Sequence, residues 1–165
     1  MRKIALGILL LVVCISAFAK QSKHKKKSLP ANEIVSVSLF HSACYGRCPV
    51  YTIEVNKNGI ATYTATLFNP DTGVFTKNIG VAKATEVINR FNAYRVDTFQ
   101  DRYASRFTDM PGTVFTIKYK SSPTKKIIDE SAGPPALIQL RVMMDSVVIT
   151  RKVDNSWHKK TETPK

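Results

Sequence analysis

Glycine, histidine and cysteine are scarce in this chain of 165 residues, and each scarcity removes a class of chemistry. The seven glycines stand isolated from one another. That excludes the Walker A loop and the dinucleotide fingerprint, which need closely spaced glycines so that backbone can approach a phosphate. Of three histidines, His24 falls in a lysine-rich stretch and His158 near the C-terminus, leaving His41 alone in the region patterned to fold. A Ser/His/Asp or Cys/His machine would have to be built on it. Acidic residues number only 12, and the adjacent pair Asp129 and Glu130 points to opposite faces of a strand, so it cannot work as acid and base. No catalytic constellation emerges. The expectation is a non-enzymatic protein without a cofactor.

What is plentiful is positive charge: 25 Lys+Arg give a formal net charge of +13. Such an excess suggests phosphate binding until the charges are located. Arg2 and Lys3 precede the apolar stretch Ile4 to Ala17, and Ala17-Phe18-Ala19 has the small-x-small form of a cleavage site. That is the pattern of a secretory signal peptide over residues 1–19, cleaved after Ala19, and it predicts a secreted or periplasmic protein. Lys20 to Lys27 holds five lysines and no apolar residue to bury, and residues 20–32 read as a basic flexible linker. Residues 151–165 read as a second basic tail, whose net charge is +3. The region between, Ser28–Thr150, carries thirteen basic and ten acidic residues, a net of only +3. The charge therefore belongs to the ends, which could touch anionic membrane or polysaccharide weakly. With export expected and no RNA-binding motif present, nucleic acid is excluded as a partner.

The remaining segment, residues 33–150, reads as a single α+β domain. Val35, Val37 and Leu39 alternate with serines; Tyr51, Ile53 and Val55 alternate with polar residues; Ala61, Tyr63, Ala65 and Leu67 do the same. Asn58-Gly59 between the last two runs is a strong hairpin signal, because both residues tolerate positive φ. A fourth strand is predicted near Val74–Ile79. The period then changes to helical over Val81–Val96, with Ala84, Val87, Ile88 and Phe91 on one face. Strands follow at Val114–Tyr119 and Lys125–Asp129. Gly133-Pro134-Pro135 then opens a second helix with Leu137, Leu140, Met144, Val147 and Val148 as its stripe. The order β-β-β-β-α-β-β-α predicts a mainly antiparallel sheet with two helices packed on one face.

Between the first two predicted strands lies Cys44-Tyr45-Gly46-Arg47-Cys48-Pro49, with His41 just before it. Three readings of this loop are open. An exported protein oxidises nearby thiols, so Cys44 and Cys48 can form a disulfide contributing about 2 kcal/mol for so short a ring. His41, Cys44 and Cys48 are also soft donors suited to Cu(I) or zinc. C-x3-C-P is similar to the copper-binding motif of Sco-type chaperones, although there the motif leads into a helix and here Pro49 leads into a strand. Thiol exchange is the third reading, with Arg47 beside a thiolate.

Ser42 to Tyr51, followed by Ile53, Asn58-Gly59 and Tyr63, resembles the opening of the bacterial family filed as domain of unknown function 6438. In that family a C-x-G-x-C-P-x-Y loop follows the first strand and a glycine-containing hairpin comes next. Phe99–Tyr103 and Thr108-Asp109 are similar to its later pattern, whereas Ala65 stands where many members have glycine. The resemblance implies a small exported or lipid-anchored bacterial protein without an assigned activity. It carries over Cys44 and Cys48 as the signature pair and Asp109 as a site residue near them. Tyr45, Arg47, Tyr51 and Asp109 are accordingly the candidate binding surface, for an unidentified protein or envelope component.

Overall fold

The computed structural model describes residues 32–107, 110–148 and 156–160. The expected signal segment, most of the basic linker, and Asp109 lie outside the described residues.

Each alternating run becomes a strand with one apolar row. The strands β1 (Ile34–His41), β2 (Tyr51–Asn56), β3 (Ile60–Ala65) and β4 (Gly73–Asn78) form an antiparallel meander. After the helix α1 (Val81–Ala93) and a 3-10 turn at Val96–Thr98, the short strand β5 (Arg102–Tyr103) forms. The hairpin of β6 (Thr113–Tyr119) and β7 (Lys125–Asp129) then adds to the free side of β1. Helix α2 (Pro135–Val147) follows, and β8 (His158–Lys159) closes the other edge. The sheet order is β5-β7-β6-β1-β2-β3-β4-β8, antiparallel throughout except for β5 beside β7. The fold is α+β.

Both helices bury their stripes in the same core. Ala84, Val87, Ile88 and Phe91 of α1 and Leu137, Leu140 and Met144 of α2 cluster with Val37, Leu39, Ile53, Val55, Phe115, Ile117 and Ile127 of the sheet. Phe91 meets Phe115 edge-on at 6.3 Å between centroids. Among the described residues no helix lies against the opposite sheet face, with Ser38, Thr52, Glu54, Thr62, Thr64, Thr116 and Lys118, and it is partly exposed. Two lysines there have partners: Lys118 pairs with Glu54 at 3.2 Å, and Lys120, just after β6, with Glu33 at 3.3 Å.

Three details depart from the sequence pattern. Helix α1 stops at Ala93 rather than Val96, because Arg95 turns left-handed (φ 52°) and Val96 is buried from the 3-10 turn instead. Strands β5 and β8 were not expected, since two residues carry no period. The stretch read as a C-terminal tail contributes β8 and the buried Trp157, whose ring meets Tyr63 at 6.1 Å with Lys77 Nζ above it. One tryptophan among polar residues gives no periodic signal, yet it buries a large apolar area.

The Asn58-Gly59 turn is as the sequence predicts. Asn56 Oδ1 accepts hydrogen bonds from the amides of Asn58 (3.0 Å) and Ile60 (3.1 Å), and Gly59 has φ +86°. A Cβ on Gly59 would stand 2.6 Å from the carbonyl carbon of Gly80 and 2.8 Å from Val81 N, so the turn also seats the start of α1. Gly59→Ala is expected to destabilise the fold by more than about 1 kcal/mol, from backbone strain and clash together. A urea midpoint unchanged from the parent would contradict this.

Candidate functional site

One rung of the sheet organises the site. Tyr103, Asp129, Thr113, His41, Tyr51, Ala65 and Gly73 lie side by side across seven strands. From this end spring the loops 42–50, 66–72 and 130–134, together with the described segments 104–107 and 110–112. The Cys44–Cys48 loop is central among them, and the two cysteines form a disulfide.

The loop is gripped at both roots by one carboxylate. Asp145, in the last turn of α2, accepts hydrogen bonds on Oδ1 from His41 Nε2 (2.9 Å) and from Tyr51 Oη (3.0 Å). A carboxylate oxygen only accepts, so Nε2 carries the hydrogen. His41 is the last residue of β1 and Tyr51 the first of β2, and their rings stack at 4.4 Å between centroids. The His41 side chain is 15% exposed and that of Asp145 34%, so the bonds form where water competes only in part.

Neighbouring loops are tied to the same loop. On one side Ser42 N donates to Gly112 O (3.0 Å), and Gly112 N donates to Ser42 Oγ (2.9 Å). On the other, Val50 N donates to Leu67 O and Thr66 N to Val50 O, while Asn69 Nδ2 donates to both carbonyls at 2.8 Å. Tyr63 Oη reaches Asn69 Oδ1 at 2.9 Å. Phe68 is held with φ 55°, a conformation costly for a large side chain, beneath the Arg47 guanidinium 5.7 Å from its centroid. Asp129, 7% exposed, shapes the fourth loop by accepting from the amides of Ala132 and Gly133.

Large apolar side chains stand out into solvent from these tied loops. Tyr45 is 93% exposed, Phe107 77%, Leu67 55%, Met110 51% and Phe68 49%. Two clefts lie elsewhere, one of about 460 Å³ between α1 and α2 and one of about 490 Å³ by the β6–β7 turn.

The candidate residues divide accordingly. Tyr45 and Arg47 are exposed on the loop, whereas Tyr51 is half-buried in the Asp145 network. His41, Cys44 and Cys48 are not gathered as metal ligands: both sulfurs are joined and His41 Nε2 faces Asp145. Among the described residues no group of three or more His, Cys, Asp or Glu is placed to hold a metal ion, and no helix is long and apolar enough to cross a membrane. Sequence reasoning missed Asp145, Asn69 and the exposed Leu67, Phe68, Phe107 and Met110. The one signal for Asp145 was an acid set directly beside the apolar stripe of α2.

A family model described as Domain of unknown function (DUF6438) matches residues 35–148. No curated protein and no solved structure matches the chain.

Burial, and then the charge of Asp71, pushes the Tyr63 phenol above its ordinary range; burial and Asp97 do the same for Tyr119. A raised folded-state pKa means the folded protein keeps protons that the unfolded chain releases. The corresponding stability is complete below about pH 10 and declines as pH rises beyond it. Denaturant titrations from pH 8 to 11 are expected to show this decline, with a shallower slope in Tyr63→Phe. An equal slope in the variant would contradict it.

Proposed function

The chain belongs to the DUF6438 family, and from that premise we propose that it is an exported, non-enzymatic protein-binding module whose contact surface is the loop end of the sheet. The observation that carries the reading is the exposed set Tyr45, Leu67, Phe68, Phe107 and Met110 on loops cross-tied through the disulfide loop. Aromatic residues, methionine and arginine are the types enriched where proteins meet, and aromatic and arginine anchors dominate the energy. Arg47 and Arg106 supply the cations here, and among the described residues neither pairs with a carboxylate. Of the described carboxylates at this end, those of Asp129, Glu130 and Asp145 are spent on internal bonds, and Asp71 alone stands against the two arginines. The matching partner surface is an apolar pocket with an acidic rim.

Support for export comes from the leader pattern of residues 1–19 alone.

Tyr45→Ser combined with Phe107→Ser tests the reading, since both side chains are too exposed to support the core. Affinity capture from envelope extract is expected to lose a protein partner about tenfold or more in the double variant. Its melting temperature should stay within about 2 °C, as for surface changes. Deletion of Lys20–Lys27 should leave capture intact. Equal capture by parent and double variant would contradict the proposal, as would capture that depends on the lysines alone.

A further inference from the structure

We propose that the Cys44–Cys48 bond is a thiol-exchange site, opened by attack of an external dithiol on Cys48 with Cys44 leaving as the thiolate. The observation behind the direction of attack is an asymmetry in the loop. Gly46 N–H donates to Cys44 Sγ at 3.3 Å, and among the described residues Cys48 Sγ receives no such donor. A hydrogen bond to a developing thiolate favours that sulfur as the leaving group, and exchange is faster when the departing thiolate is the more stable one. Access is open as well. Both cysteines are partly exposed, and the three residues between them, Tyr45, Gly46 and Arg47, are exposed.

The surroundings allow the bond to open without unfolding the loop. The ring it closes lies inside a segment whose shoulders are already held by Ser42 N to Gly112 O and by Val50 N to Leu67 O. Beneath them, the His41 and Tyr51 roots share Asp145. None of these contacts uses a sulfur atom. The fold therefore supports an oxidised and a reduced form with the same framework, which a cycling site requires.

The exchange balances in two steps. A thiolate of the dithiol attacks Cys48 Sγ, the Cys44–Cys48 bond breaks, and its electron pair passes to Cys44 sulfur beside the Gly46 amide. The second thiol of the reagent then attacks the reagent sulfur in the mixed disulfide, expelling Cys48 as thiolate, and both cysteines take up protons. The protein disulfide gains two electrons and two protons while the dithiol is oxidised to its own disulfide. The reverse sequence reoxidises the protein.

Reduced glutathione is the probe, added to the purified oxidised protein, with acid quenching and mass-spectrometric mapping of adducts. Glutathione is expected on Cys48 in preference to Cys44 by about tenfold or more, the scale of one hydrogen bond to a charged group. The circular dichroism of the fully reduced protein should match that of the oxidised one. Gly46→Ala keeps the amide and brings its Cβ no nearer than 3.8 Å to Cys44 Sγ, so it should keep the bias. Gly46→Pro removes the donor and should lose it. Equal labelling of the two cysteines, preference for Cys44, or reaction only after denaturation would each overturn the proposal, and these readouts on the parent protein decide it even if the proline variant does not fold. Labelling by glutathione involves no protein partner, so its outcome is read independently of the partner-binding reading.

Discussion

The arrangement of the loop end depends on one carboxylate. Asp145 receives both the last side chain of β1 and the first side chain of β2 on a single oxygen, so the helix grips the two roots of the disulfide loop at once. A strand connection of nine residues, 42–50, would otherwise be free to sway about its sheet hydrogen bonds. Stacking of His41 on Tyr51 removes the remaining freedom of the roots. The position of α2 is thereby coupled to the shape of the surface, because its apolar stripe, ending at Met144 directly before the carboxylate, is buried on the sheet.

From those roots, order spreads sideways through backbone bonds. Ser42 fixes Gly112 at the entry to β6, and Val50 fixes the 66–72 loop by way of Leu67 and Asn69. The left-handed Phe68 is maintained only because its neighbours hold it, and it keeps an aromatic ring out in water under Arg47. A protein gains no stability from exposing Tyr45 and Phe107. Holding such groups on an ordered platform lowers the entropy lost when something binds them. The same ordering leaves the disulfide framed by contacts that do not depend on it.

Sheet and helices were legible in the sequence because burial of one face imposes a period. Val37, Leu39, Ile53 and Val55 alternate, Ala84, Val87, Ile88 and Phe91 recur at helical spacing, and Asn58-Gly59 marks its turn by a backbone requirement. Elements too short to show a period, β5 and β8, were invisible, and so was the burial of Trp157. The site was half legible. Cys44 and Cys48 announce themselves by chemistry and spacing, and His41 by its isolation. Asp145 lies 94 residues from Tyr51 and 104 from His41, so only the packed fold joins them. The exposed Leu67 and Phe107 read as ordinary hydrophobic residues until their surroundings are known.

The central claim, that Asp145 holds the contact surface in shape, is tested most directly by amide hydrogen exchange in Asp145→Ala. Exchange in residues 42–52 and 66–69 should accelerate about tenfold or more, as expected when a pair of part-buried hydrogen bonds is lost. The amides of Leu39, Ile53 and Phe115 in the sheet centre should remain protected. Unchanged exchange in the loops, or acceleration spread evenly over the sheet, would contradict the account.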